Sequence, residues 1–173
     1  VLIKASEQHL CKAPVGDKSK EDSDGQVVDD EYRRCRTQQF DDLPIPAKTV
    51  DFLRKRVMSL INCSETNLEV TQITKYSSGD FFAAHEDGFA PCYRRHAEAQ
   101  APGKNSNRIA TVIVYLSEVQ RGGETRFTQT QPVTDVAPRE GKAVVFFPAR
   151  LPSATTDPGG LAADVEHEAR PVM

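Results

Sequence analysis

The segment YSSGDFFAAHEDGFAP, residues 76–91, contains a histidine and an aspartate two positions apart. If its FFAAHEDG part is the end of a β-strand, the two-residue period of a strand places His85 and Asp87 on one face and Glu86 on the other. Composition alone predicts about one histidine followed by an acid at this spacing, and a second such pair begins at His96. The spacing therefore needs support from a third ligand and from the fold.

The other three histidines differ in their surroundings. His9 is in the amino-terminal segment, and His96 is in a polar stretch with Gly and Pro that is typical of a loop. His167 is in DVEHEARPV, a predicted late strand. An imidazole and a carboxylate on one strand, with a second imidazole from a strand across a barrel, form the facial triad of non-heme Fe(II) enzymes. His85, Asp87 and His167 are therefore a candidate metal site, and ordinary barrel histidines beside a surface aspartate are the alternative.

The composition is that of a mildly acidic globular protein. With 173 residues, 38% of them hydrophobic, the chain can bury one sizeable core, and we predict a single domain over residues 1–173. The net charge of -3 gives no general attraction to nucleic acid, although YRRHAEAQAPGK is a local basic cluster. No apolar run approaches the roughly eighteen residues that span a bilayer, so we expect no membrane contact in this segment.

Four cysteines and one sequon bear on the compartment. Cys11, Cys35, Cys63 and Cys92 contain no Cys-x-x-Cys pair, and both two disulfides and four buried thiols are compatible with their spacing. The triplet that begins at Asn62 fits a glycosylation sequon. The sequon favours the endoplasmic reticulum or secretory pathway over the cytoplasm.

Helical periodicity is confined to the first part of the chain. VLIKASEQHLCKA is predicted to be helical, and because it opens without a Met we expect the true amino terminus upstream. Residues 16–34 are rich in Asp, Lys, Ser and Gly and are predicted to form a mobile surface loop. A second helix is predicted from Pro46 toward Asn62. Its apolar face consists of Val50, Leu53, Val57, Leu60 and Ile61.

After Asn67 the sequence changes to short segments separated by turn residues, which predicts strands. These are LEVTQITKY, NRIATVIVYLSEV, TRFTQT, GKAVVFFPA and EHEARPV. The run from Ile109 to Leu116 is almost wholly apolar, which predicts a strand buried on both faces. Glycines in QRGGETRF and APREGKAVVFF predict turns. Helices followed by strands predict an α+β fold, and a double-stranded β-helix (jelly-roll) barrel supported by the amino-terminal helices fits best.

The order of these motifs resembles the prolyl 4-hydroxylases, a family of Fe(II)/2-oxoglutarate dioxygenases. The resemblance rests on Y-x-x-G-x-x-F-x-x-H-x-D, NRIATVIVYLSEVQRGGETRF, P-x-x-G-K-A-V-V-F-F and HEARPV, with RRCRTQQF before the second helix. It covers most of the chain and implies that His85, Asp87 and His167 bind iron. The implied reaction is oxidative decarboxylation of 2-oxoglutarate coupled to hydroxylation of peptidyl proline by dioxygen, with ascorbate as reductant.

The resemblance also implies contacts with cosubstrate and substrate. Tyr76 and Thr125 correspond to positions that contact 2-oxoglutarate, and Tyr115 is a further candidate for its carboxylate. Arg108 corresponds to an arginine that faces the peptide, and the segment 88–107 is expected to be a mobile lid over the substrate entrance. The residues themselves leave other roles open, namely core packing for Tyr76, turn stabilisation for Thr125 and a surface ion pair for Arg108.

Two departures from the family pattern affect these implied roles. Phe82 stands where the family usually has a tyrosine, so a hydroxyl donor is lost. The family's lysine that pairs with the distal carboxylate of 2-oxoglutarate would lie beyond Met173, and a buried carboxylate without a cation is costly. We therefore expect the chain to lack its first strand or strands and its last strand. A related oxygenase acting on another residue or a small molecule, and a non-catalytic jelly-roll binding module, are the alternatives.

Overall fold

The computed structural model describes residues 2–14, 29–88, 108–150, 160–161 and 165–173. The helical elements of these stretches are α1 (Leu2–Ser6), α2 (Ala47–Ile61) and 3-10 turns at Phe40–Asp42 and Glu65–Asn67. The strands are β1 (Cys11–Lys12), β2 (Arg33–Arg34), β3 (Arg36–Gln39), β4 (Gln72–Lys75), β5 (Phe81–His85), β6 (Thr111–Val114), β7 (Thr125–Phe127), β8 (Thr134–Val136), β9 (Ala143–Phe146), β10 (Ala149–Arg150), β11 (Gly160–Leu161) and β12 (His167–Ala169). The described part of the chain is therefore mostly sheet with few helices.

A five-stranded antiparallel sheet, in the order β2-β5-β12-β7-β8, contains the candidate metal ligands. The other described strands form a three-stranded sheet, β1-β3-β4, and two pairs, β6-β9 and β10-β11. Strand β12 lies between β5 and β7, so that His167 is opposite His85 on one side and Phe127 on the other. This register brings together two histidines that are far apart in the sequence.

The second helix has the predicted boundaries. It begins after Pro46 and ends at Asn62, whose φ of 51° lies in the left-handed region. Proline is tolerated at the start because the first backbone N–H groups of a helix have no partner within the helix. Asparagine adopts the left-handed conformation more readily than most residues. Local sequence chemistry therefore fixes both ends of α2.

An apolar cluster packs between α2 and the three-stranded sheet. Its buried members are Phe40, Leu43, Val50 and Ile73. The predicted apolar face of α2 is correct for Val50 and for Leu53, which packs against the cluster. It is wrong for Leu60, whose surface is 58% exposed. Phe40 and Leu43 precede α2, and Ile73 is on β4. The cluster therefore covers the first half of the helix.

The amino-terminal helix is shorter than predicted, and the end of the predicted loop after it forms a strand. Helix α1 ends at Ser6, and residues 11–12 form β1, which pairs with β3. Pairing in a sheet outweighs the helical periodicity of so short a segment, since isolated short helices are marginal. The predicted loop over residues 16–34 extends too far, because Arg33–Arg34 form β2 against β5. Residues 16–28 lie outside the described part.

Strand β6 is less buried than its apolar sequence predicts. Val114 of β6 is 37% exposed, and Ile109, which precedes the strand, is 38% exposed. Among the described strands β6 pairs only with β9, in the antiparallel sense. Burial on both faces is typical of parallel sheets, whereas antiparallel sheets commonly leave one face accessible. The prediction of burial on both faces is therefore wrong for this strand.

The predicted glycine turns are confirmed. Gly122, Gly123 and Gly141 all have positive φ angles. At Gly122 a Cβ atom would overlap the carbonyl oxygen of Pro171. The close approach of the last residues of the chain to the turn before β7 therefore requires glycine.

The remaining sequence predictions concern thiols, membranes and the lid. Cys11, Cys35 and Cys63 are free, and Cys11 is exposed, so neither two disulfides nor four buried thiols describes the chain. None of the helices in the described stretches is long and apolar enough to cross a membrane.

Residues 89–107, which make up nearly all of the predicted lid and include Cys92 and His96, lie outside the described residues.

Candidate metal centre

Strands β5 and β12 bring His85, Asp87 and His167 together. His85 is the last residue of β5, Asp87 follows two residues later, and His167 is the first residue of β12. One ligand atom from each residue can be chosen so that all three lie within 4.8 Å of one another. Nε2 of His85 is 3.5 Å from Oδ1 of Asp87, and Nε2 of His167 is 3.9 Å from Oδ2. The structure thus places the predicted triad around one small space.

Backbone carbonyls orient both imidazoles. Nδ1 of His85 lies 2.8 Å from the carbonyl oxygen of Ala83, and Nδ1 of His167 lies 3.0 Å from that of Val165. A carbonyl oxygen can only accept, so each Nδ1 carries the hydrogen and donates it. With Nδ1 engaged in this way, Nε2 is the ring atom of each histidine that faces Asp87. Metal-binding histidines are usually oriented by such a contact at the other ring nitrogen.

Burial and charge set the protonation of the site. Burial lowers the pKa of His167, and this effect outweighs the opposing effect of the Asp87 carboxylate. Burial alone would raise the pKa of the Asp87 carboxyl, but the two histidines and the Thr111 hydroxyl outweigh it and lower the pKa to about 2. The site therefore offers imidazole nitrogens and an ionised carboxylate oxygen. This donor set fits a divalent transition metal such as Fe(II).

Aromatic rings pack against both imidazoles. The Phe82 ring stacks on His85 with centroids 3.6 Å apart and planes 17° apart. The Arg33 guanidinium lies 4.5 Å from the centroid of the same phenylalanine ring. Phe146, on β9, packs edge-on against His167 with centroids 4.6 Å apart. These contacts limit rotation of both imidazoles and cover them with apolar surface.

Thr125 and Tyr115, two of the predicted cosubstrate residues, contact each other. The Tyr115 hydroxyl donates to Oγ1 of Thr125 at 2.8 Å. Thr125 is buried in β7 and pairs with Ala169 of β12, two residues beyond His167. Burial raises the pKa of the Tyr115 phenol more than its contact with Thr125 lowers it. The hydroxyl of Tyr115, which follows β6, thus lies beside that of Thr125 on the sheet that contains the triad.

Arg108, the predicted substrate residue, lies beside the triad in an ion pair. Its Nε and Nη2 atoms are 2.8 Å and 3.0 Å from the two carboxylate oxygens of Glu69. Its Nη1 atom donates to the backbone carbonyl oxygen of Asp87 at 3.3 Å. The ion pair that the sequence left open is therefore present, and the same side chain contacts the backbone of the triad. A contact with peptide stays a prediction.

Tyr76 lies just after β4, near Cys35 and Arg33. Burial raises the pKa of the Tyr76 phenol, and the neighbouring Cys35 thiol adds to the effect. Cys35 is 5% exposed, and its sulfur accepts a hydrogen bond from Nε of Arg33 at 3.3 Å. These neighbours are consistent with the packing role that the sequence left open. A contact between Tyr76 and 2-oxoglutarate stays a prediction.

One polar contact in the site was not predicted from the sequence. Oγ1 of Thr111, the first residue of β6, donates to Oδ2 of Asp87 at 2.7 Å. A threonine at the start of an apolar strand is ordinary β-strand composition. The contact becomes visible only in the structure, where β6 packs against the segment just after β5 that contains Asp87.

The sequence matches a known family from residue 71 to its last residue. The model of the 2OG-Fe(II) oxygenase superfamily matches residues 71–173, a range that includes the whole triad. Because the match covers more than half of the chain, the chain belongs to this superfamily. Within the superfamily it is similar to the prolyl 4-hydroxylases.

Two plant proteins illustrate that similarity. Probable prolyl 4-hydroxylase 11 of Arabidopsis thaliana is 32% identical over 116 residues, in an alignment that covers 64% of this chain and 36% of the plant protein. Probable prolyl 4-hydroxylase 7 of the same plant is 37% identical over 113 residues, in an alignment that covers 56% of this chain and 33% of that protein. The aligned part thus spans about a third of the length of these curated relatives.

Two solved structures share the fold. A viral collagen prolyl hydroxylase from Paramecium bursaria Chlorella virus-1, in complex with 2-oxoglutarate, superimposes with a TM-score of 0.58 at 23% identity, covering 82% of this chain and 72% of that one. A prolyl-4-hydroxylase of Pseudomonas putida superimposes with a TM-score of 0.55 at 21% identity, covering 96% and 73%. At 23% and 21% identity, these two superpositions show a shared fold.

Proposed function

We propose that this chain is the catalytic domain of an Fe(II)- and 2-oxoglutarate-dependent dioxygenase that hydroxylates proline in a peptide or protein. The observation that supports the proposal most is the triad of His85, Asp87 and His167, whose ligand atoms lie within 4.8 Å of one another in a member of this superfamily. The similarity to prolyl 4-hydroxylases supports the substrate class.

The proposed architecture is a double-stranded β-helix, or jelly-roll, barrel. The five-stranded sheet and the β6-β9 pair would be its two faces. Contacts between these faces support the proposal, since Phe146 on β9 packs edge-on against Phe127 and His167 at centroid distances of 5.2 Å and 4.6 Å. Thr111 on β6 reaches Asp87 in the same way. The triad would then lie inside the barrel.

The proposed roles follow from the chemistry of each side chain. The triad would hold Fe(II), which supplies activation of 2-oxoglutarate and dioxygen when bound, and ascorbate would serve as its reductant. The Thr125 hydroxyl accepts the Tyr115 hydrogen and keeps its own hydrogen, which it can donate to a carboxylate of 2-oxoglutarate. Tyr115 is a proposed contact with the same carboxylate if its hydroxyl turns from Thr125 to the cosubstrate. Tyr76 is a further proposed contact with the cosubstrate. The rings on both imidazoles would keep water from that side of the site.

Arg108 is the proposed contact with the substrate. Its side chain is 40% exposed and held by Glu69, so the guanidinium is fixed at the rim of the site and still accessible. A fixed guanidinium can donate to the carbonyl oxygens of an extended peptide. The peptide would therefore lie across the edge of the site at Asp87.

A second candidate is a related oxygenase that acts on another residue or on a small molecule. Phe82 is the observation that favours it. The ring stacks directly on His85 but has no hydroxyl, so it cannot donate a hydrogen bond to a substrate. Substrate orientation beside the metal would then differ from that in enzymes with tyrosine at this position.

Succinate release and peptide mass together test the proposal. The full-length protein, with the strand expected beyond Met173, is supplied with Fe(II), 2-oxoglutarate, ascorbate, dioxygen and a proline-rich peptide, and we expect succinate with the gain of one oxygen atom by the peptide. The variant His85→Ala is the control for background reaction. Succinate without peptide oxidation would favour the second candidate. Metal and 2-oxoglutarate binding without either product would favour a non-catalytic binding module.

We also propose a secretory location. Asn62 is exposed at the end of α2, where an oligosaccharide could be attached without disturbing the fold. Expression of the natural protein in its own cells, followed by treatment with an endoglycosidase, should increase its electrophoretic mobility. The Asn62→Gln variant lacks the sequon, and its mobility should not change on treatment. If the mobility of the natural protein does not change either, the proposal is contradicted.

A further inference from the structure

The two oxygens of the Asp87 carboxylate have different surroundings. Oδ2 accepts a hydrogen bond from Oγ1 of Thr111 at 2.7 Å and lies 3.9 Å from Nε2 of His167. Oδ1 lies 3.5 Å from Nε2 of His85. A hydroxyl that donates to an ionised carboxylate at this distance makes a charge-assisted hydrogen bond, which is about twice as strong as a neutral one. Oδ2 therefore holds the hydrogen bond from Thr111 and is the oxygen nearer to His167, whereas Oδ1 is not bonded to Thr111 and faces the imidazole of His85.

The threonine that makes this contact is itself held firmly. Thr111 pairs with Phe146 across the β6-β9 ladder, and the Phe146 ring packs against His167. The β-branched side chain of threonine also has few rotamers, so its hydroxyl has a defined direction. The strand pair that supplies the hydroxyl thus also packs against the second imidazole of the triad.

The backbone and the side chain of Asp87 are fixed separately. The guanidinium of Arg108 binds the backbone carbonyl oxygen at 3.3 Å, but this contact leaves the carboxylate free to rotate about its terminal bond. Thr111 restricts that rotation, because turning the carboxylate would break a short hydrogen bond in a largely buried setting. The Asp87 side chain is only 19% exposed, so little water is available to replace it.

We propose that Thr111 is a positioning residue for the metal ligand Asp87. It binds Oδ2 and thereby presents Oδ1 to a metal held between the two imidazoles. This role rests on the proposed function of the triad as a metal site. Groups that orient a metal ligand typically contribute ten- to a hundredfold to metal affinity.

A comparison of three threonine variants tests the role of Thr111. Thr111→Val removes the hydroxyl and keeps the shape, whereas Thr111→Ser keeps the hydroxyl. The matched control is Thr37→Val, which removes a half-buried hydroxyl that donates to the Ile73 carbonyl oxygen at 3.0 Å in the three-stranded sheet. Each metal-free protein is titrated with Co(II), and binding is followed by the visible absorption of the bound ion.

We expect Thr111→Val to weaken Co(II) binding by about ten- to a hundredfold. Thr111→Ser and Thr37→Val should stay within about threefold of the wild-type chain, because neither changes a contact of Asp87 in kind. Rescue by serine distinguishes loss of the hydroxyl from a general loss of packing. Thermal unfolding of the metal-free proteins checks that each variant is folded in the titration.

Two results would overturn the role of Thr111 alone. One is wild-type affinity in Thr111→Val, and the other is equal weakening in Thr111→Val and Thr111→Ser. A wild-type chain that binds neither Co(II) nor Fe(II) would overturn the metal site, and the role of Thr111 with it. The affinity of the wild-type chain thus separates a failure of the proposed function from a failure of this inference.

Discussion

The metal-site region and the apolar cluster beside α2 are held together by different kinds of contact. In the site, hydrogen bonds from fixed directions orient each candidate ligand, as between Thr111 and Asp87. The cluster around Phe40 and Val50 shares only apolar surface, and its stabilisation depends on buried area with little dependence on direction. Changes in the site should therefore alter ligand binding more than stability. Changes in the cluster should do the reverse.

Removal of the Asp87 carboxylate should have the largest effect on the site. We expect Asp87→Ala to weaken Fe(II) or Co(II) binding by more than about a hundredfold, because even groups that only orient a ligand can contribute that much. Metal titration measures the loss, and thermal unfolding of the metal-free protein measures stability. Glu86→Ala is the matched control, since Glu86 is exposed and neighbours the same strand end. Similar metal affinity in both variants would remove Asp87 from the site.

Truncation of Phe40 should have the largest effect on the cluster. Phe40 is 5% exposed, and Phe→Ala at a buried position costs about 3 to 5 kcal/mol. Denaturant unfolding of Phe40→Ala should show this loss. The folded fraction should still bind Co(II) with wild-type affinity, because the contacts that orient the triad are unchanged. A metal affinity that falls together with stability would show that the two regions are coupled.

Loss of the Thr125 hydroxyl should separate the cosubstrate from the metal. Thr125→Val deletes one hydrogen bond to a charged group, worth about 1.5 to 3 kcal/mol, or roughly ten- to a hundredfold in 2-oxoglutarate affinity. Co(II) affinity should change little. The control is Thr130→Val, which removes a hydroxyl bonded to the Phe127 carbonyl oxygen in the loop after β7. Unchanged 2-oxoglutarate binding in Thr125→Val would exclude this residue from the cosubstrate site.

The sequence predicts the features of the molecule that depend on local chemistry. The ends of α2 follow from Pro46 and Asn62, and the turn before β7 follows from Gly122 and Gly123. The two-residue period of a strand is enough to place His85 and Asp87 on one side. These features are readable because each depends on residues that are neighbours in the chain.

Features that depend on pairing between distant segments are harder to predict. The apolar sequence of β6 predicts burial on both faces, but β6 pairs antiparallel with β9, and antiparallel sheets commonly leave one face accessible. Residues 11–12 have helical periodicity and still join a sheet, because β3 offers hydrogen-bond partners. The contact of Thr111 with Asp87 belongs to the same group, since it crosses from one strand pair to another.

Leu60 and Leu53 test how far the apolar cluster extends along α2, and their variants should have the smallest effects. Helical spacing places both on one face of α2, but Leu53 packs against the apolar cluster whereas Leu60 is 58% exposed. Leu60→Ala should change the free energy of unfolding by less than about 0.5 kcal/mol, because little buried surface is lost and alanine is the better helix former. Leu53→Ala should cost clearly more, and neither variant should alter Co(II) affinity. Equal costs in denaturant unfolding would mean that the apolar contacts continue to the end of the helix, and the cluster would then be larger than the four buried residues at its centre.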